Sequence, residues 1–374
     1  MTPQATECKK CLMSETVDPR LTFSDGACQH CVTFEKNVRV RIAAVRGQAA
    51  LASEALKIRR RKTKSPYDCV LGLSGGVDSS YLAYLAVDLG LNPLCVHIDN
   101  GWNSELASSN VEKLVKGLEL DLYTVVLDAE TFHDLQKAFL IASVPDVEIP
   151  SDHAIQASLW QTASKFRIRT ILSGMNYASE SSSIPHWSYG HADWKYIKSV
   201  WKLGGHPNPS RFPHFTKVGL VRWAFVKQIR SISLLNYADF NKHQAVQLLK
   251  NRLGWQEYSS KHSESVYTRW VQGFLLPEKF NIDKRYMHLS DLIRSGQLSK
   301  AEAAEELKRN HYPKEDLRAD TALVLKKLGL SNRELAEILR TKPASFREFP
   351  NSEFLDTSFR QLLNLARRLG VYPR

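Results

Sequence analysis

The stretch Cys69–Ser80, C-V-L-G-L-S-G-G-V-D-S-S, constrains the fold more than any other part of this 374-residue chain. Its apolar run Cys69 to Leu73 reads as a buried strand, and the apolar stretch from Tyr81 onward reads as a helix. Between them Ser74-Gly75-Gly76 lets backbone come close to a ligand, and the first N–H groups of the helix point the same way. A strand that passes through glycines into a helix builds an anion site. Two familiar phosphate loops are excluded by residue type. No Lys follows these glycines, as G-x-x-x-x-G-K-[ST] requires, and G-x-G-x-x-G is missing.

S-G-G-x-D-S after a first strand resembles the pyrophosphate loop of the PP-loop ATPases. The resemblance implies cleavage of ATP between its α and β phosphates and adenylation of a carbonyl or carboxyl oxygen. It makes Ser74, Gly75, Gly76, Asp78, Ser79 and Ser80 the expected ATP-binding residues, with Asp78 and Ser79 also expected to serve catalysis.

A metal site is expected near the N-terminus. Cys8-x-x-Cys11 and Cys28-x-x-Cys31 are separated by 16 residues, the spacing of a zinc ribbon in which two knuckles close a tetrahedral thiolate site. Asp25-Gly26 between the pairs suits a hairpin turn. Four cysteines leave no open coordination position, so Zn²⁺ is read as structural. The N-terminus lacks the apolar core of a signal peptide, and no stretch approaches the ~20 apolar residues of a membrane span; a cytoplasmic protein is expected. The net charge of +12 points to an anionic substrate or partner without choosing among RNA, a nucleotide sugar and ATP.

Strand and helix patterns then alternate. Strands are expected at Cys69–Leu73, Leu94–Ile98, Leu122–Leu127 and Thr170–Leu172, with helices from Asp78 to near Gly90, from Ser104 to about Leu118, over Thr131–Ala142 and over Asp152–Phe166. That order predicts an α/β fold with a parallel, doubly wound sheet, whose ligands bind beyond the carboxyl ends of the strands. Three loops meet that condition: Ser74–Ser79, His97–Trp102 and Ser173–Glu180. His97 and Asp99 are expected at the adenosine, Gly174 at the nucleotide, and Glu180 at Mg²⁺ beside the pyrophosphate.

The remaining segments read as follows. Residues 1–34 form the zinc ribbon, 35–66 a helical linker, 67–183 the PP-loop domain, 184–298 a substrate-binding segment and 299–374 a helical region. The linker, helix-forming from Glu35 to Leu56, ends in Lys57-Ile-Arg-Arg-Arg-Lys-Thr-Lys64, six basic residues in eight and a candidate phosphate or RNA patch. Pro185 to Phe215, rich in aromatics and His, reads as irregular and substrate-facing, although core packing accounts for most single aromatics. Ser299-x-x-Glu302 and Ser331-x-x-Glu334 are capping boxes.

Between Gly254 and Gly296 stand K-H-x-E-S (Lys261, His262, Glu264), L-P-x-K-F (Leu276–Phe280) and D-K-R-x-x-H-L-S (Asp283–Ser290). Together with the N-terminal cysteines and L-G-L-S-G-G-V-D-S-S, they resemble the N-acetyl sugar amidotransferases of the WbpG and PseA type over almost the whole chain. The one departure is Leu12 where Val is expected.

The resemblance implies an adenine nucleotide alpha hydrolase-like sheet. It also implies an ATP-dependent, AMP- and pyrophosphate-forming reaction that turns an acetamido group of a nucleotide-linked sugar into an acetamidino group, in bacterial lipopolysaccharide O-antigen synthesis. Lys261 is then a candidate catalytic residue, and His262, Glu264, Lys284 and Arg285 are candidates for holding the sugar nucleotide. Cys69 and Cys95 lie within strands and do not suit a glutaminase, so ammonia is expected from solution or from a partner; the resemblance implies a separate glutaminase and its barrel-shaped companion. The competing expectation is a tRNA-modifying PP-loop enzyme, a thiolase or lysidine-type ligase, favoured by the ribbon and basic run but lacking a reactive Cys pair after Cys31. A third is a non-catalytic scaffold, against which the intact S-G-G-x-D-S speaks.

Overall fold

The structure, a computed structural model, describes residues 5–258, 263–310 and 312–354 together with 361 and 365. A two-residue hairpin opens it. β1 (Phe23–Ser24) pairs antiparallel with β2 (Ala27–Cys28), and the turn residues Asp25 and Gly26 have φ of 53° and 77°. Both central residues thus take the left-handed conformation that matches strand twist.

Five parallel strands form the main sheet: β3 (Cys69–Gly72), β4 (Pro93–Asp99), β5 (Asp121–Val126), β6 (Thr170–Leu172) and β7 (Arg230–Ile232), in the order β5-β4-β3-β6-β7. This is the parallel, helix-covered sheet expected. β3 alternates Cys69 and Leu71 toward one buried cluster and Val70 toward another, because helices cover both faces. Helix Val77–Asp88 covers the first face and helix Ile149–Lys165 the second. β7 carries no alternation that sequence reading could detect; its three residues are aligned only by pairing with β6.

The strand order reverses between β3 and β6, since β4 and β5 lie on one side of β3 and β6 and β7 on the other. Loops leaving two such strands diverge and open a crevice at their carboxyl ends. Here those loops are Ser74–Gly76 and Ser173–Gly174.

The expected linker helix is broken. Helical turns run through Val45, then Gly47 at φ 134° interrupts them, and helix Gln48–Arg60 begins. Gly47 N–H donates to the Tyr237 carbonyl at 3.0 Å, a contact that a continuous helix would forbid.

The segment 185–215 is more ordered than its composition suggested. It contains helix Trp194–Gly204, capped by Asp193, and Trp187, Trp194, Tyr196, Trp201, Phe212 and Phe215 are buried. The capping boxes at Ser299 and Ser331 are both formed, each worth about 1 kcal/mol to its helix. The ribbon cysteines share one core with Trp102, Phe132 and Tyr267, so the knuckle is docked and not tethered.

Candidate active site

The phosphate loop is built by local hydrogen bonds. Leu73 N–H still donates to Val96 O, and the chain then leaves the sheet. Ser79 Oγ lies 3.3 Å from Ser74 N and 3.1 Å from Ser74 Oγ, while Gly76 N–H donates to Ser74 Oγ at 3.3 Å. Gly75 has φ 85°, and a Cβ there would stand 2.7 Å from the Ala107 carbonyl oxygen, so only glycine fits. Gly76 is the N-cap of helix Val77–Asp88, whose dipole faces the crevice.

Distant residues hold this loop. Trp255 Nε1 and Tyr258 Oη donate to Gly75 O at 2.9 and 3.1 Å. His97 has both ring nitrogens engaged. Asn103 Nδ2 stands 3.1 Å from Nε2, which makes Nε2 the acceptor and gives Nδ1 the proton it donates to Leu73 O at 2.9 Å. His97 therefore orients the start of the loop as well as lining the crevice.

Two connected cavities open there. The smaller, about 390 Å³, is lined by Ser74, Gly76, Asp78, Ser79, Gly174 and Glu180 among others. The larger, about 1570 Å³, shares Ser74, Gly174, Glu180 and Glu264 with it and extends past His97 and Lys284 to the ribbon. The fold thus gathers most of the sequence candidates. Glu264 carries its carboxylate to the phosphate loop, where a Cβ on Gly76 would stand 3.3 Å from Oε1.

Other candidates lie elsewhere. Ser80 is fully buried and lines neither cavity, because its place one turn into the helix rotates it toward the sheet. Asp99 lines neither cavity; its Oδ1 accepts from Gly101 N–H at 3.0 Å, closing the turn after β4. Arg285 is spread over Asp283 and the carbonyls of Leu307 and Arg309 and does not line the cavities. Lys261 and His262 lie outside the described residues. Cys69 and Cys95 are buried in strands, and burial raises both thiols.

The basic run serves the opposite end of the sheet. Arg59 donates to the carbonyls of Leu89 and Gly90, Arg61 to Gln228 O, and Lys62 to Pro66 O. These carbonyls precede the amino ends of β4, β7 and β3, away from the phosphate loop.

Of the floor of the large cavity, sequence reading named Lys284 but missed its partners Glu148, Gln272, Asp146 and Asp152. Lys284 Nζ lies 2.6 Å from Glu148 Oε2, Gln272 Nε2 donates to both Glu148 oxygens at 3.1 Å, and Asp146 and Asp152 stand nearby. Burial lowers the Lys284 pKa, but Glu148 and Asp152 outweigh it and the net shift is upward. Asp152 is solvent-accessible within the cavity, and desolvation by the cavity walls and then the charge of Glu148 hold it above the usual carboxylate range. Asp146, 4% exposed, is pushed up to about 6 by burial, against the hydrogen bond it accepts from Tyr189 N–H. The acidic spacing Asp146-x-Glu148-x-x-x-Asp152 around two prolines was the available signal.

The four ribbon sulfurs lie within 4.8 Å of one another, with Cys8–Cys31 at 3.8 Å and Cys11–Cys28 at 3.7 Å. A tetrahedron with Zn–S bonds of about 2.3 Å has edges of about 3.8 Å, so this donor set fits Zn²⁺.

Residues 52–143 match the NAD synthase family, and residues 264–363 match the family described as LPS biosynthesis protein WbpG-like, C-terminal domain. The chain thus carries, in this order, a segment similar to the NAD synthases and a segment similar to the WbpG-like C-terminal domain. An uncharacterised protein of Methanocaldococcus jannaschii is 25% identical over 269 residues, which is 70% of this chain and 80% of that protein. A tRNA(Ile)-lysidine synthase of Chlamydia pneumoniae is 38% identical over 71 residues, 18% of this chain and 22% of that protein. The NMN synthetase of Francisella tularensis superposes with a TM-score of 0.36 at 14% identity, covering 76% of this chain and 97% of that one.

Within the WbpG-like segment, the motif D-K-R-x-x-H-L-S resolves into separate tasks. Asp283 caps helix Lys284–Arg294, Lys284 meets Glu148, His288 lines the large cavity and Ser290 accepts from Leu12 N–H of the ribbon at 3.2 Å. The PP-loop family implies an ATP-using enzyme with Mg²⁺. Asp78 and Glu180 line one small cavity with the phosphate loop, a hard oxygen donor set suited to that ion. Among the described residues no helix is long and apolar enough to cross a membrane.

Proposed function

We propose that the chain is an ATP-dependent amidotransferase that converts an acetamido group of a nucleotide-linked sugar to an acetamidino group. The reading places it in O-antigen lipopolysaccharide synthesis, with ammonia supplied by a partner glutaminase and its barrel-type companion. One observation carries it: the phosphate loop opens directly into a cavity of about 1570 Å³ that the WbpG-like segment helps to line through Glu264, Lys279, Lys284, Met287 and His288. That space takes a ligand much larger than a metabolite amine.

In this reading the Ser74–Ser79 loop and the helix N-terminus bind the ATP phosphates. Mg²⁺ held by Asp78 and Glu180 would offset the charge of the departing pyrophosphate. The acetamido oxygen attacks the α phosphorus; an O–P bond forms, and the α–β anhydride bond breaks with its electron pair going to pyrophosphate. Ammonia then attacks the activated carbon, the C–O bond breaks, and AMP leaves with that pair. Adenylation is needed because an amide oxygen is otherwise a very poor leaving group. Asp152, with its proton affinity raised beside Glu148, takes the proton that the incoming nitrogen sheds.

The test is pyrophosphate release with ATP, Mg²⁺ and ammonium across a panel of acetamido nucleotide sugars, with unmodified tRNA in parallel and mass spectrometry of each product. A sugar product with oxygen replaced by imino nitrogen supports the reading. Turnover with tRNA alone overturns it in favour of RNA modification, the chemistry suggested by the match to a lysidine synthase.

A further inference from the structure

The ribbon is wired into the wall of the large cavity. Thr16, Val17, Pro19 and Arg20 line that cavity, while the cysteines sit behind them. Arg294 reaches the sulfur cluster with one arm, Nη1 standing 3.6 Å from Cys11 Sγ and 3.9 Å from Cys31 Sγ. Its other arm, Nη2, donates to Ser182 Oγ at 2.6 Å and to Asp291 Oδ1 at 2.7 Å. Asp291 in turn accepts from Ser181 Oγ at 2.5 Å and Ser182 Oγ at 2.8 Å. The side chains of Arg294 and Asp291 are 3% and 0% exposed.

Four thiolates around a divalent cation leave a net charge of about −2. Buried charge of that size needs a fixed counter-charge, and the rigid guanidinium fork supplies one while holding a second group in defined geometry. The second group here is Ser182, two residues after Glu180, and the segment 180–190 lines the large cavity with little interruption.

We propose that Arg294 and Asp291 are positioning residues that couple metal at the Cys8–Cys31 site to the 180–190 wall, making the ribbon a structural wall of the acceptor site. Only the word acceptor rests on the amidotransferase reading; the coupling does not. Loss of the metal, or of the fork, frees Ser181 and Ser182 and loosens the wall, while the phosphate loop stays pinned by Trp255 and Tyr258.

The experiment is hydrogen exchange by mass spectrometry on the full zinc-loaded chain, its R294K and D291N variants, and the wild-type chain after chelation. Zinc content and Mg-ATP affinity are measured on the same samples. R294K keeps the charge but loses the two-armed reach. The expected result is R294K protein that retains one zinc, exchanges about tenfold faster over 181–190, keeps wild-type exchange over 77–88 and loses no more than a few-fold in Mg-ATP affinity, Glu180 standing at the edge of the loosened segment. Chelated wild type is expected to show the same regional pattern, which decides the matter if a variant fails to fold. Unchanged exchange over 181–190 in R294K and after chelation overturns the proposal. Because no acceptor is present, a chain that turns over only tRNA would sink the sugar reading and leave this coupling intact.

Discussion

The indole nitrogen of Trp255 donates to the carbonyl of Gly75 at 2.9 Å, across 180 residues of chain. Gly75 lies in the left-handed region, and its carbonyl would otherwise turn freely at the mouth of the phosphate site. Tyr258 Oη approaches the same oxygen at 3.1 Å, and Asn110 holds Tyr258 from behind at 3.3 Å. The loop's shape thus depends on a segment outside the nucleotide-binding unit.

Trp255→Phe should weaken Mg-ATP binding about fivefold, the value of one hydrogen bond of about 1 kcal/mol. Titration calorimetry of Mg-ATP alongside a thermal melt checks this. Unchanged affinity would show that Tyr258 alone fixes the carbonyl.

Gly75→Ala should weaken Mg-ATP binding by about 5- to 150-fold while the chain still folds. The variant combines an unfavourable φ with a methyl group 2.7 Å from Ala107 O, a strain on the order of 1–3 kcal/mol at the ligand itself. Circular dichroism and calorimetric titration together separate lost binding from lost fold.

Lys284 and Glu148 form a partly buried pair with side-chain exposures of 22% and 16%. Lys284→Met should cost about 3 kcal/mol in urea unfolding, because Glu148, Asp152 and Asp146 lose their counter-charge. Adding Glu148→Gln should restore part of that loss. Additive destabilisation in the double variant would show that the pair is not coupled.

Asp146 gives stability a pH signature. Its folded pKa of about 6 lies above the ordinary value of 3.8, so the protonated form is favoured in the fold. Its contribution is full below about pH 4 and is lost as pH rises through about 6, a change of about 3 kcal/mol at most. Asp146→Asn keeps an oxygen for Tyr189 N–H and removes the titration. The variant's unfolding free energy should therefore fall less than wild type's between pH 4 and pH 7, and equal slopes would contradict the assignment.

Cys28→Ser should drop zinc from one per chain to near zero and lower the thermal midpoint, since a knuckle of this size gains its folding energy from the metal. Elemental analysis and calorimetry check both.

Much was legible in the sequence because the signals are local. Strand-Gly-Gly-helix at Cys69–Ser80, paired C-x-x-C units, Asp25-Gly26 and the Ser299 and Ser331 caps each act within a few residues, where side-chain type and spacing fix backbone geometry. The family motifs marked which C-terminal residues matter, but not for what. D-K-R puts Lys284 into the cavity and Arg285 onto helix-end carbonyls, and nothing in the residue types separates the two. Ser80 and Asp99 belonged to the right motifs and point elsewhere, because helical rotation and a turn hydrogen bond aim them.

The strand order was decided only by the tertiary structure. β7 became a strand by pairing, and the reversal between β3 and β6 located the crevice. The acidic floor, the grip of Trp255 on Gly75 and the Arg294 fork between sulfur and Ser182 join residues far apart in the chain. Such contacts follow from how elements pack, and packing depends on the whole set of buried surfaces at once. The sequence by itself determined the phosphate loop and the metal knuckle; the packed chain decided what surrounds them.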